Sequence, residues 1–182
     1  FSFHPVKNLA MITGGAISVP KKYQKFYERL KSQRWCGISS RKGVYYDVDK
    51  LGWNYYMNEF SAAIGISQLS KLKALNNKKK KIAKKYFKKL NVKDKMPFSK
   101  DCSYHLYWIQ VEDRDNFLKK MNLMGIETGI HYKPIHTMTF YKSKKSLPIT
   151  EKISKKIVSI PIHSNLTDEN VERIIKAVNS SI

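Results

Sequence analysis

Ser2-Phe3-His4-Pro5-Val6-Lys7-Asn8-Leu9, with a glycine pair close behind it at Gly14-Gly15-Ala16, is the stretch on which the reading of this chain turns. Pro5 and the glycines favour a turn-rich loop over a helix or strand interior. The loop sets Lys7 ahead of two residues without side chains, where backbone can approach a bound group closely. A lysine amine partly desolvated beside other cations has a lowered pKa and becomes a nucleophile toward carbonyl carbon. Ser2, on the same stretch, can hydrogen-bond a phosphate. On residue type alone, Lys7 reads first as one surface lysine among many, so the neighbouring sequence has to decide.

Around that loop lies a chain of 182 residues, 42% hydrophobic and 27% charged. That apolar content supports a core and argues against disorder along the whole length. The length fits one domain, or a small domain with part of another. Phe1 in place of an initiating Met marks the chain as processed or as a piece of something longer. No apolar run approaches the roughly 20 residues that span a bilayer, and no signal segment opens the chain. Cys36 and Cys102 make no disulfide framework and stand at no zinc-ligand spacing, so a cytoplasmic protein without a metal site is expected.

The 35 Lys and Arg against 14 Asp and Glu give a formal charge of +21. The densest run is Lys78-Lys79-Lys80-Lys81 followed by Lys84, Lys85, Lys88 and Lys89. Leu69, Leu72, Ile82, Tyr86, Phe87 and Leu90 punctuate it at helical spacing, which predicts an amphipathic helix with a lysine-coated outer face. Such clusters can neutralise phosphates, but base-reading sites favour arginine and no nucleic-acid motif is visible. A solvated helix face is expected instead. The positive field would favour anionic small substrates such as nucleotide diphosphates.

Local signals predict a loop and short strand (Ala16–Val19) over residues 1–19. They predict a helix over 21–35 with Tyr23, Phe26, Tyr27 and Leu30 inward, and a loop over 36–58. Residues 59–90 read as one long helix or two consecutive ones, breakable at Asn76-Asn77. A polar linker at 91–101 precedes a strand at Tyr104–Val111 and a helix from the N-cap Asp113 to about Met124, ended by Gly125. A second strand is expected at Ile126–Tyr132, and a loop with a short helical turn at Lys133–Leu147. A helix at 149–157, a third strand at Val158–Ile162 and a helix from Thr167 to about Asn179 complete the pattern.

The blocks beyond the first loop carry the identification. They are Asp47-Val48-Asp49-Lys50-Leu51-Gly52-Trp53-Asn54-Tyr55-Tyr56-Met57-Asn58-Glu59, then Ala62-Ala63-Ile64-Gly65, then Ser103-Tyr104-His105-Leu106-Tyr107. Thr128-Gly129-Ile130-His131-Tyr132-Lys133-Pro134-Ile135-His136, Ser159-Ile160-Pro161-Ile162-His163 and Leu166-Thr167-Asp168-Glu169 follow. With the Lys7 loop, in this order and spacing, they resemble the DegT/DnrJ/EryC1/StrS family of fold-type-I, pyridoxal-phosphate-dependent sugar aminotransferases. The resemblance spans essentially the whole chain.

The resemblance implies an α/β fold, the C-terminal part of a fold-type-I aminotransferase. Residues 1–90 would be the end of the large cofactor-binding domain with the inter-domain helices, and 91–182 a small α/β domain with a short sheet. Lys7 would hold pyridoxal 5'-phosphate covalently and then move a proton between cofactor and substrate carbons. Ser2 would contact the cofactor phosphate. Asn54 would reach the phosphate of a neighbouring subunit's cofactor, so a homodimer with shared sites is implied. His131 and Tyr132, with His136, would line the sugar side. The implied reaction is amino transfer from an amino acid, glutamate, to a nucleotide-linked keto-sugar in amino-sugar and polysaccharide biosynthesis.

Some positions depart from the family pattern. Thr13 stands for an acidic residue, Tyr56 for the Arg of the Asn-Tyr-Arg-Met block, Asn58 for Ser or Thr, and Trp35-Cys36-Gly37 for Asn-His-Gly. The family's chain is about twice as long. Its ring-stacking aromatic and the Asp that pairs with the pyridine nitrogen have no counterpart here, so this chain alone is expected to be inactive. The competing expectation is a non-catalytic basic module, or a degenerate remnant, that binds a homologue or nucleic acid. A steep salt dependence of DNA binding would mark it. His131 and His136 flank Pro134 and share no helical face, so they are not read as metal ligands. His105 and His163 read as core or loop histidines, and Trp35, Trp53 and Trp108 as packing residues.

Overall fold

The computed structural model describes residues 1–141, 143 and 145–182; Lys142 and Lys144, within the loop expected at 133–147, lie outside the described residues. The chain forms two compact units, Phe1–Leu72 and Lys73–Ile182.

In the first unit, a 3-10 turn (Lys21–Tyr23) leads into α1 (Gln24–Arg34), as the apolar spacing predicts. The inward face expected of it is not covered: Tyr23, Phe26 and Tyr27 are exposed, and Ser32 is the buried residue of α1. Residues 36–58, expected to be a loop, contain a hairpin instead. Strands β1 (Ile38–Lys42) and β2 (Tyr45–Val48) pair antiparallel with Lys42 opposite Tyr45. The two-residue turn begins with Gly43 at φ +60, the residue type a type II′ turn needs at its first central position. That Gly-X pair, followed by Tyr45-Tyr46, was the available signal. The strand expected at Ala16–Val19 does not form. Gly15 bridges Ser2 and the Ala16 amide donates to Phe1 O, but no ladder continues through residues 17–19 among the described residues. A strand requires a paired backbone, whatever its side chains favour.

One helix, α2 (Glu59–Lys89), covers the stretch that could have been two. Asn76-Asn77 lies within it without a break. Its later turns send Ile82, Ala83 and Tyr86 into the core of the second unit, where Leu90 joins them.

That second core is built on two antiparallel strands, β3 (Tyr107–Gln110) and β4 (Ile157–Ile160), with Tyr107 opposite Ile160 and Gln110 opposite Ile157. The segment expected as a polar linker lines the outer edge of β3: the Met96 amide donates to Trp108 O and the Gln110 amide to Asp94 O. On the β4 side, the strand expected at Ile126–Tyr132 is reduced to a single bridge, Gly129 to Ser159. Among the described residues, residues 130–132 make no further ladder with β4.

Helices α3 (Arg114–Leu123), α4 (Pro148–Lys156) and α5 (Asp168–Ser181) follow the sequence signals closely. The Asp113 side chain accepts from the Asn116 amide, and the Thr167 side chain from the Asn170 amide, which satisfies donors a helix start leaves open. Gly125 follows α3 at φ +66, the left-handed residue that closes a helix. Phe117 and Met121 of α3 and Val171, Ile174, Ile175 and Val178 of α5 close over the strands. Tyr86, Tyr104 and Tyr107 are fully buried. Their hydroxyls are satisfied by carbonyls, Tyr86 on Pro161 O at 2.8 Å and Tyr107 on Met96 O at 3.1 Å. Burial raises the Tyr86 and Tyr107 phenols well above their ordinary value. No helix among the described residues is long and apolar enough to cross a membrane.

Part of the lysine face of α2 is spent on α5. Lys85 pairs with Asp168 at 2.8 Å and Lys89 with Glu172 at 2.6 Å, and the Asn179 amide donates to Lys89 O. The Lys85 hydrogen bond holds the Asp168 carboxyl below its usual range, and Asp168 in turn raises Lys85. A lowered carboxyl contributes stability above its unfolded pKa that is lost as pH falls through the folded one; a raised lysine contributes below its unfolded pKa until pH rises through the folded one. The pair therefore acts between the carboxylate and lysine ranges. Asp168→Asn should reduce the loss of thermal stability on acidification, read as the slope of Tm against pH below the carboxylate range. Met121→Ala, at a fully buried position, should cost about 2–5 kcal/mol in urea unfolding.

Candidate active site

Lys7 sits in a turn whose amide donates to His4 O at 2.8 Å. The turn is held from both sides: Phe3 N donates to Gly14 O at 3.1 Å, and Met11 N to Phe3 O at 2.9 Å. His4 Nδ1 accepts from the Val6 amide at 3.4 Å, so its ring serves the turn. Ser2 lies on the same loop, bridged to Gly15, with its Oγ accepting from the His4 amide at 3.5 Å. The loop thus carries a half-buried amine and an exposed hydroxyl on one short piece of ordered backbone.

The glycine pair makes that order possible. Gly14 has φ +142, and a Cβ there would lie 3.1 Å from Met57 Cε. A Cβ on Gly15 would lie 2.9 Å from Phe1 O. Met57 follows closely on Asn54, so the segment that carries Asn54 passes beside the Lys7 loop. Met11, the buried apolar side chain of this unit, lies against Gly65 of α2, where a Cβ would come within 2.7 Å of it. Gly65 therefore serves close packing against Met11.

Asn54 is delivered by a second glycine contact. Gly37 (φ +80) and Gly52 cross backbone to backbone: a Cβ on Gly37 would lie 1.9 Å from Lys50 O, and one on Gly52 2.1 Å from Gly37 N. The segment after Gly52 then pairs with the end of α1. Trp53 N donates to Gln33 O at 2.8 Å, Tyr55 N to Arg34 O at 3.0 Å, and Asn54 bridges Trp35. Asn54 Oδ1 accepts from the Tyr56 amide at 3.5 Å. Trp35, Cys36, Asn54 and Tyr56 line an open depression. Tyr56, the departure from the family pattern, meets Trp35 edge to face at 6.2 Å, and the Arg34 guanidinium lies over its ring at 4.9 Å. Cys36 holds φ +55 at this crossing.

Ser2, Lys7 and Asn54 belong to the first unit; His131, Tyr132 and His136 belong to the second. His131 and Tyr132 are adjacent with rings edge to face at 4.9 Å, His131 half-buried and Tyr132 exposed. His136, on the 3-10 turn Ile135–Thr137, does not point to solvent: its Nε2 lies 3.1 Å from Glu151 Oε1 of α4. Glu151 was not anticipated. Its position near the start of a helix whose N-cap, Leu147, has no capping side chain was the usable signal. The Glu151 carboxyl sits below its ordinary range, first because it accepts from the Leu147 amide and second because of His136. No cluster of three or more His, Cys, Asp or Glu suited to a metal ion occurs among the described residues.

With this geometry established, comparison with known proteins decides the family. The model of the DegT/DnrJ/EryC1/StrS aminotransferase family matches residues 1–179. The chain belongs to that family. Its fold is similar to that of the sugar aminotransferase CalS13 from Micromonospora echinospora (TM-score 0.89, 24% identity, covering 100% of this chain and 51% of that one). PseC from Helicobacter pylori, an aminotransferase involved in the biosynthesis of pseudoaminic acid, is 28% identical with a TM-score of 0.79, over 86% of this chain and 46% of that one. DesV from S. venezuelae, solved in complex with a ketimine intermediate, is 27% identical with a TM-score of 0.81, over 99% and 50%. The chain spans about half the length of the solved chains it matches. Its α/β architecture is that of the C-terminal part of a fold-type-I aminotransferase.

The two glycine contacts that deliver the site differ from Gly43, where a Cβ meets nothing within 4 Å. Gly52→Ala should cost more than the roughly 3 kcal/mol of an ordinary destabilising substitution. Gly43→Ala should cost only about 1 kcal/mol for its positive φ. Thermal melts of the two variants side by side check the contrast.

Proposed function

We propose that this chain supplies the C-terminal part of a pyridoxal-phosphate-dependent aminotransferase that moves an amino group from an amino acid, glutamate, to a nucleotide-linked keto-sugar. It works in the cytoplasm, in amino-sugar and polysaccharide biosynthesis, as a homodimer with shared sites. The observation that carries the reading is the loop that presents the Lys7 amine and the Ser2 hydroxyl together on backbone ordered by Gly14 and Gly15. Membership of the family and the ketimine-bound state of DesV support the choice of chemistry.

The donor set fits a phosphate-bearing aldehyde. A primary amine suits the aldehyde carbon, and a hydroxyl and a carboxamide NH2 suit phosphate oxygens. Lys7 would hold the cofactor, with Ser2 on its phosphate and Asn54 on the phosphate of the partner's cofactor. Pyridoxal phosphate, when bound, supplies the electron sink that makes the substrate carbon acidic. The Lys7 amine is then the base that takes the proton from that carbon and returns it elsewhere. His131 and Tyr132 line the sugar side, and His136 belongs to the same segment. The pyridine-nitrogen Asp and ring-stacking aromatic belong to the part of the family's chain that this one does not include. The chain alone therefore transfers no amino group.

The test is selective labelling. Treat the chain with pyridoxal phosphate, reduce with borohydride and map the modified peptides. The mark should concentrate on Lys7 over the exposed lysines of α2, vanish from that peptide in Lys7→Ala, and come with no turnover of a keto-sugar. A mark spread evenly over the lysines would overturn the reading.

A further inference from the structure

The segment bearing His131 and Tyr132 is tied at both ends, by different elements. At one end, Gly129 exchanges two backbone hydrogen bonds with Ser159 of β4, at 2.9 and 2.7 Å. The His131 ring lies directly on Gly129: a Cβ there would be 2.6 Å from His131 Cε1. Its Nδ1 is buried without a hydrogen-bond partner among the described residues. At the other end, His136 Nε2 meets Glu151 Oε1 at 3.1 Å, and the same oxygen accepts from the Leu147 amide at 2.9 Å. One carboxylate thus joins the turn at Ile135–Thr137 to the start of α4. The His136 side chain is only 14% exposed and turned to Glu151, whereas Tyr132 is 63% exposed.

We infer that His136 is a positioning residue and not a substrate contact: paired with Glu151, it anchors the far end of segment 130–135 and so fixes how His131 and Tyr132 meet a nucleotide-linked sugar. The inference rests on the proposed function only for the identity of that ligand. A hydrogen bond that involves an ionised carboxylate is stronger and better directed than a neutral one. Here it closes a segment that has no ladder beyond the Gly129–Ser159 bridge. His131, lying on the Gly129 backbone, cannot settle lower, so the tilt of the segment is governed from the His136 end.

The full chain, 15N-labelled, tests this with uridine diphosphate as the probe. In ligand-free protein, His136→Ala and Glu151→Ala should each move the amide resonances of Ile130, His131 and Tyr132 while leaving those of β3 in place. Each should weaken the probe by about fivefold to tenfold, within the range of a single net hydrogen bond. The double variant should be no weaker than Glu151→Ala, which already removes the His136 contact together with the one to the Leu147 amide. His136→Gln, whose amide NH2 can still donate to Glu151, should recover most of the affinity. Unmoved amides, additive losses, or His136→Gln as weak as His136→Ala would each overturn the positioning role. So would a His136 ring that leaves Glu151 for the probe. Failure of the unaltered chain to bind the probe would count against the proposed function, while the ligand-free amides would still judge the His136–Glu151 contact.

Discussion

Backbone lying on backbone, with no side chain between, holds the first unit together. Its apolar core is slight: Met11 is the large hydrophobic residue it buries among the described residues. In place of a core, it has the crossing of Gly37 with Gly52 and the seating of Gly14 and Gly15 against Met57 and Phe1. Contacts this close are open only to residues without Cβ. They convert two loops, which would otherwise cost conformational entropy to order, into fixed mounts for Lys7 and Asn54.

The second unit solves the same problem by the opposite means. There a strand pair, two capped helices and the end of α2 enclose three buried tyrosines whose hydroxyls all find carbonyl partners. The functional segment is not part of that core. It hangs from it by a bridge at Gly129 and a side-chain contact at His136. Rigid scaffold and adjustable fitting are thus separated within a few residues, which suits the sugar-facing role proposed for His131 and Tyr132.

How much of this was legible in the sequence differs by element. Helices α3 and α5 announced themselves through Asp113 and Thr167 at their starts, since capping chemistry is local. The hairpin at Ile38–Val48 was passed over because its first strand bears charged and polar residues, so the whole of 36–58 read as a loop. The strands expected at Ala16–Val19 and Ile126–Tyr132 had the right side chains but lacked a ladder partner, and pairing is a non-local fact. The inward face assigned to α1 failed for a related reason: periodicity tells which residues are apolar, not what stands opposite them. Among the candidate site residues, Lys7 was singled out by the resemblance of its whole loop to the family, since one lysine among many carries no signal by type. The tie from His136 to Glu151 was not, since it joins a loop to the next helix and no spacing rule covers it.

The exposed side chains of Tyr23, Phe26 and Tyr27 bear on how this polypeptide behaves in a tube. Apolar patches left open to water draw copies of a molecule together, while a charge of +21 pushes them apart. The second effect is screened within about 10 Å at 0.1 M ionic strength and the first is not. Dilute buffer should therefore keep the chain dispersed, and added salt should drive it out of solution, the reverse of salting-in.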